Sequence, residues 1–244
     1  MDFNIAKRAV LNITRKRNIS NFQYSIFGKP LSTVDQHEYL GVTISNDLRW
    51  NHHCEKSIKK ANRTLGLLRR TLTPCTKDVK IKAYESLVRP RLEYASEAWN
   101  PHTTSTVDRL EQVQRAAARF IHRDYRRETH VTPLLTALGW DSLHYRRLLA
   151  QSVMFFKIQH SLVNIRFPPC VSPATFFARR DHQLKFNTIQ CTIDPYKFSF
   201  YPRTIRIWNS LPATAVTASS ILVFRKAAMP AIRAMLPPVG SRLL

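Results

Sequence analysis

Residues 54–72, CEKSIKKANRTLGLLRRTL, decide the fold. Their apolar members fall at Cys54, Ile58, Ala61, Leu65, Leu68 and Leu72, in alternating steps of four and three, which describes one face of an α-helix. Projected at ~100° per residue, Lys56, Lys59, Lys60, Arg63 and Arg70 gather on the opposite side. One stripe requires a core. The other is either a solvated cationic face or a surface for something anionic.

Downstream the helical period persists. Thr73-Pro74 breaks the first helix, and Thr73 or Thr76 caps a second one carrying Ile81, Tyr84, Val88, Leu92, Ala95 and Trp99. Pro90 lies inside it, so a kink or break is expected near Val88–Pro90. Ser105 and Asp108 have capping-box spacing and open a helix through Val107, Leu110, Val113, Ala117, Phe120 and Ile121, with Arg109, Arg115 and Arg119 turned away from the core. A basic linker, 122–130, follows. Thr132-Pro133 starts a short helix that Gly139 ends, and Asp141 is expected to cap a longer one reaching about Ile158. Beyond a Pro-rich connector, Phe198, Phe200 and Tyr201 suggest a short strand and Arg203–Asn209 a short helix. A last amphipathic helix starts after Ser219-Ser220 and is interrupted at Pro230.

Upstream the period drops to two. Ala9-Val10-Leu11, then Phe22, Tyr24, Ile26 and Leu31, and finally the β-rich run 39–44 predict short strands around a Gly28-Lys29-Pro30 turn. The fold class expected is therefore mainly α with a small N-terminal β-segment. Four regions follow: 1–46 strands, 47–123 a helical bundle, 131–236 a second helical region with short strands, and 237–244 a tail.

Composition narrows the chemistry. The 244 residues carry 38 Lys+Arg against 16 Asp+Glu, a net charge of +22, and are 44% hydrophobic. That apolar share supports a core, and that charge points to a polyanionic partner. No apolar run approaches the length of a membrane span, and MDFNIAKRAV is no secretory signal, so an intracellular, non-secreted protein of nucleus or cytoplasm with no membrane partner is expected. Cys54, Cys75, Cys170 and Cys191 form no CxxC pair, which excludes a zinc knuckle or disulfide scaffold. Five glycines build no phosphate loop. Metal-dependent polymerases and nucleases need carboxylates converging on divalent ions. Here Asp35, Glu38, Asp47, Asp108 and Glu111 are scattered singly and are expected to serve as caps, turns or partners of nearby arginines. No [FY]xDD or GxSxG sequence occurs. Neither a self-sufficient active site nor a bound metal is expected.

Several stretches match one family in order. HEYLGVTISNDLRWNHHCEKSIKKANRTLGLLRRTL (37–72), IKAYESLVRPRLEYASEAWNP (81–101), VDRLEQVQRAAARFI (107–121) and FSFYPRTIRIWNSLP (198–212) resemble the C-terminal part of LINE-type (non-LTR) retrotransposon reverse transcriptases, of the jockey and CR1-like kinds. The resemblance implies that FNIAKRAV (3–10) is the end of the palm, with Lys7 the lysine proposed to assist pyrophosphate departure. It implies that Tyr39, Leu40 and Gly41 form the primer-grip hairpin, and that 47–123 is the thumb whose basic face tracks the template–primer duplex. Mg²⁺ serves the intact family through palm aspartates that would lie upstream, in a missing polymerase domain. The expectation is a truncated fragment of an RNA-directed DNA polymerase, inactive alone. It would bind RNA, RNA–DNA or DNA duplex through Tyr39, Leu40, Gly41, Lys56, Lys59, Lys60, Arg63, Arg70, Arg115 and Arg119. The alternatives are a transposon-derived helical protein-interaction module or a product without a selected role.

Overall fold

The computed structural model describes residues 8–14, 16, 22–179 and 181–236. The chain is mostly helical with a small strand segment at its start. It divides into two compact units, 1–56 and 57–244, described separately. Lys7 and the tail 237–244 lie outside the described residues.

In the first unit the strands form three two-stranded ladders. β1 (Ala9–Leu11) pairs in parallel with β4 (Ser32–Val34). β2 (Ser25–Ile26) and β3 (Lys29–Pro30) close over Phe27-Gly28, both at positive φ. β5 (Gln36–Tyr39) and β6 (Val42–Ser45) form an antiparallel hairpin whose two-residue turn is Leu40-Gly41. Both turn residues have positive φ, 47° and 79°, the mirror-type turn that matches the twist of paired strands. The hairpin is tied to the following helix by the Thr43 amide, which donates to His53 Nδ1 at 3.1 Å.

Helix α1 (Asn51–Thr71) carries the predicted stripe: Cys54, Ile58, Ala61, Leu65 and Leu68 are all buried. The unit boundary falls inside it. In the second unit α2 (Lys77–Ala83) runs into a π-helical turn, Tyr84–Val88, and then α3 (Arg89–Glu93). The break expected near Pro90 is thus a widened turn. It accommodates a residue with no amide hydrogen while the chain continues helical. α4 (Ser96–Trp99) follows after Ala95 at positive φ.

α5 (Thr104–His122) begins one residue before the expected cap. Thr103 takes the capping position, and its hydroxyl reaches Thr106 Oγ1 at 2.9 Å. α6 (Val131–Ala137) ends at Gly139 with φ 64°. α7 (Leu143–Gln159) is capped by Ser142, whose hydroxyl accepts from the Tyr145 amide. Asp141 is not the cap, because its carboxylate is taken by Arg233 at 2.6 Å.

The expected strand at Phe198–Tyr201 does not form: Phe198 and Ser199 make a turn and Phe200 and Tyr201 are helical. α8 (Asp194–Lys197) precedes it, and α9 (Phe200–Asn209) includes Phe200 and Tyr201. Pro202 stands in the first turn of α9, where a missing amide hydrogen costs nothing. After α10 (Ala213–Val216), α11 (Ile221–Ala234) is capped by Ser220 and runs through Pro230 without interruption. Pro230 and Lys226, whose carbonyl loses its amide partner, are both exposed, so water can serve that carbonyl.

The larger core lies where α7 packs against α9 and α11. Trp208, Phe155, Phe156 and Phe224 sit at its centre, fully buried. The irregular stretch between α7 and α8 is pinned to α9. Trp208 Nε1 donates to the Leu184 carbonyl at 2.7 Å, and Asn209 exchanges two hydrogen bonds with the Phe186 backbone.

Candidate nucleic-acid interface

In the second unit the cationic side of α1 stands clear of the core. Lys59, Lys60, Arg63 and Arg70 are all exposed and make no ion pair among the described residues. Their helical azimuths span about 100°, over roughly 16 Å of helix axis. The opposite stripe is fixed by burial, and Arg69, at its flank, donates to the Ala116 carbonyl of α5 at 3.0 Å. The apolar pattern therefore sets the orientation of the cations: rotating them inward would expose Leu65 and Ala61.

The other arginines named from sequence have different surroundings. Arg119 is a structural clamp. Its guanidinium donates to the carbonyls of Asp124, Arg126 and Thr129 and closes the loop after α5. Asp124 completes that loop with bonds to Arg126 and Thr129, which hold its carboxyl well below the usual range. Arg115 is half-buried, one turn before Arg119 on α5. At the join of α1 and α2, Lys80 and Arg123 both donate to the Thr73 carbonyl, at 3.0 and 2.5 Å. Lys80 is buried between the exposed Lys77 and Lys82 of the same helix, a placement that periodicity alone does not reveal.

In the first unit the hairpin turn presents Tyr39 and Leu40, both exposed, with Leu40 74% accessible. Lys56 is ion-paired with Glu38 on β5. The expected caps and turns among the acids take definite form. Asp47 accepts from Ser45 and from the Arg49 amide, Asp35 accepts from Asn46, and Glu111 accepts from the His144 amide at 2.8 Å. Among the described residues no three His, Cys, Asp or Glu side chains gather to hold a metal ion, and no helix is long and apolar enough to cross a membrane.

The second unit also holds a buried polar hub. Asn100 Nδ2 donates to Gln151 at 3.0 Å, Asn100 Oδ1 accepts from Arg147 Nε at 3.1 Å, and its carbonyl accepts from Arg203 at 2.8 Å. Burial and the neighbouring Arg147 lower the Arg203 pKa to about 10. Burial, then Arg147 and Arg203, push His144 down to about 4.

The chain matches no protein-family model, no curated protein and no solved structure.

Proposed function

We propose that this chain is a nucleic-acid-binding segment of a retrotransposon-type reverse transcriptase, acting on RNA–DNA or related duplexes without supplying the metal-dependent chemistry. One observation carries the reading. Four unpaired cations, Lys59, Lys60, Arg63 and Arg70, share one exposed face of α1 in a chain of net charge +22. The ordered resemblance of 37–72, 81–101, 107–121 and 198–212 to the C-terminal part of LINE-type enzymes supports the choice of ligand. The exposed Tyr39-Leu40 turn is consistent with a grip on a primer strand, because such a tip offers apolar and aromatic surface to a nucleotide.

Each cation that neutralises a phosphate releases counterions, so affinity falls steeply with salt. Titration of the full chain against an RNA–DNA hybrid at several salt concentrations tests this. Replacing Lys59, Lys60, Arg63 and Arg70 together by Gln lowers the log–log slope by roughly three to four. A flat plot for the unaltered chain overturns the reading. Incorporation of nucleotides by the purified chain with primer, template and Mg²⁺ would overturn its non-catalytic part.

A further inference from the structure

In this strongly cationic chain three carboxylates meet around one cavity of about 240 Å³ in the second unit. Glu93, at the end of α3, and Glu97, on α4, form one wall. Asp141, with Tyr145 and Arg146 of α7, forms the other. Two of the carboxylates are already matched. Glu93 receives the Arg146 guanidinium on both oxygens, and Asp141 receives Arg233. Glu97 makes no ion pair among the described residues. Nor does Arg225 of α11, which lines the same cavity and is exposed at its mouth.

Tyr145 supplies an independent sign. It is only 3% exposed, and its phenolic oxygen is buried with no hydrogen-bond partner. A buried tyrosine hydroxyl normally has one. The ring itself is well held, with the Arg233 guanidinium 5.2 Å from its centroid, so the missing partner is local to the hydroxyl.

Once the internal pairs are set aside, the cavity retains one negative group, one positive group and an orphan phenol. Leu149 and Ala150 add a short apolar wall. We infer that this cavity binds a small amino-acid-like zwitterion, with its primary ammonium on Glu97 and its carboxylate on Arg225, a small shift of the Tyr145 ring bringing its unpartnered hydroxyl to the ammonium. An ammonium has three donors and no acceptor, which suits a carboxylate beside a hydroxyl oxygen. A dication would be repelled by Arg225, and a simple anion would meet Glu97. The volume lies below that of ordinary drug-sized pockets, which limits the ligand to a few heavy atoms.

The test is an NMR titration of the isotope-labelled full chain with glycine, β-alanine and γ-aminobutyrate, which span a range of charge separations. Propylamine and propionate are the single-charge controls. At least one zwitterion is expected to give saturable shifts at Ser96, Glu97, Tyr145 and Arg225, with affinity about tenfold or more above both controls. Glu97→Gln and Arg225→Gln should each remove that advantage, and Tyr145→Phe should weaken binding while leaving the amide resonances away from the cavity unchanged. Equal binding of a zwitterion and either control overturns the proposal. So does an unchanged spectrum with all three zwitterions, which would mean that water alone satisfies Tyr145.

Discussion

At Asn100 one side chain and one carbonyl hold groups that are at least 47 residues away in sequence. Replacing it by Ala removes the Oδ1 acceptor of the buried Arg147 guanidinium and the amide donor to Gln151 at once, while the backbone carbonyl still serves Arg203. Unsatisfied buried groups cost about 1–3 kcal/mol each, with partial relief from relaxation. Asn100→Ala should therefore lose about 2–4 kcal/mol in urea unfolding, and a loss within about 0.5 kcal/mol would show the hub to be ornamental. His144 gives a pH signature. Its folded pKa of about 4 lies below the ordinary 6.5, so the unfolded chain takes up a proton first as pH falls. The stability tied to neutral His144 is complete above pH 6.5 and is lost as pH drops towards 4. Glu111, raised mainly by burial with Arg147 opposing, changes in the other sense, so the comparison must be with a variant. Relative to His144→Gln, the wild type should lose about 2–3 kcal/mol across that window. No pH-dependent difference between the two would contradict the burial assigned to the imidazole.

The elements differ in how openly their sequences declare them. The register of α1 was legible because Cys54, Ile58, Ala61, Leu65 and Leu68 repeat through about four turns, and all five are buried. α9 was half legible. Aromatic residues at Phe198, Phe200 and Tyr201 favour strands by propensity, yet Ile205, Ile207 and Trp208 belong to the same buried cluster, and tertiary burial outweighs propensity. The hairpin turn carries strain that a sequence pattern does not display. Leu40 occupies the left-handed region at φ 47°, while 74% exposed. That conformation costs a non-glycine residue about 1–2 kcal/mol and is eased by Asn. Leu40→Asn should slow amide exchange at Tyr39 and Val42 by several-fold. If the tip grips a primer, the same change should weaken hybrid binding. A change that stabilises the hairpin and leaves binding intact would remove Leu40 from the interface.

Charge dominates at the scale of the whole molecule. With +22 on 244 residues, self-repulsion opposes the folded state. Raising salt screens it, so Tm should climb by several degrees between low and moderate ionic strength. Hybrid binding should fall over the same range. A Tm that is flat or drops with salt would mean that local ion pairs, such as Arg146–Glu93, outweigh the net repulsion. The mainly helical class with a strand-built start was legible from the switch between periods two and three-to-four. The Glu97–Tyr145–Arg225 cavity was not. Its walls come from α3, α4, α7 and α11, and only packing brings such distant residues together.

The anchoring of the irregular stretch before α8 to Trp208 and Asn209 also bears on how the chain responds to a protease. A cut after Arg166 severs the backbone but none of the bonds that Leu184 and Phe186 make to α9. The two pieces should co-elute as one nicked particle and separate only in denaturant. Digestion would then report a stable body where the covalent chain is already broken.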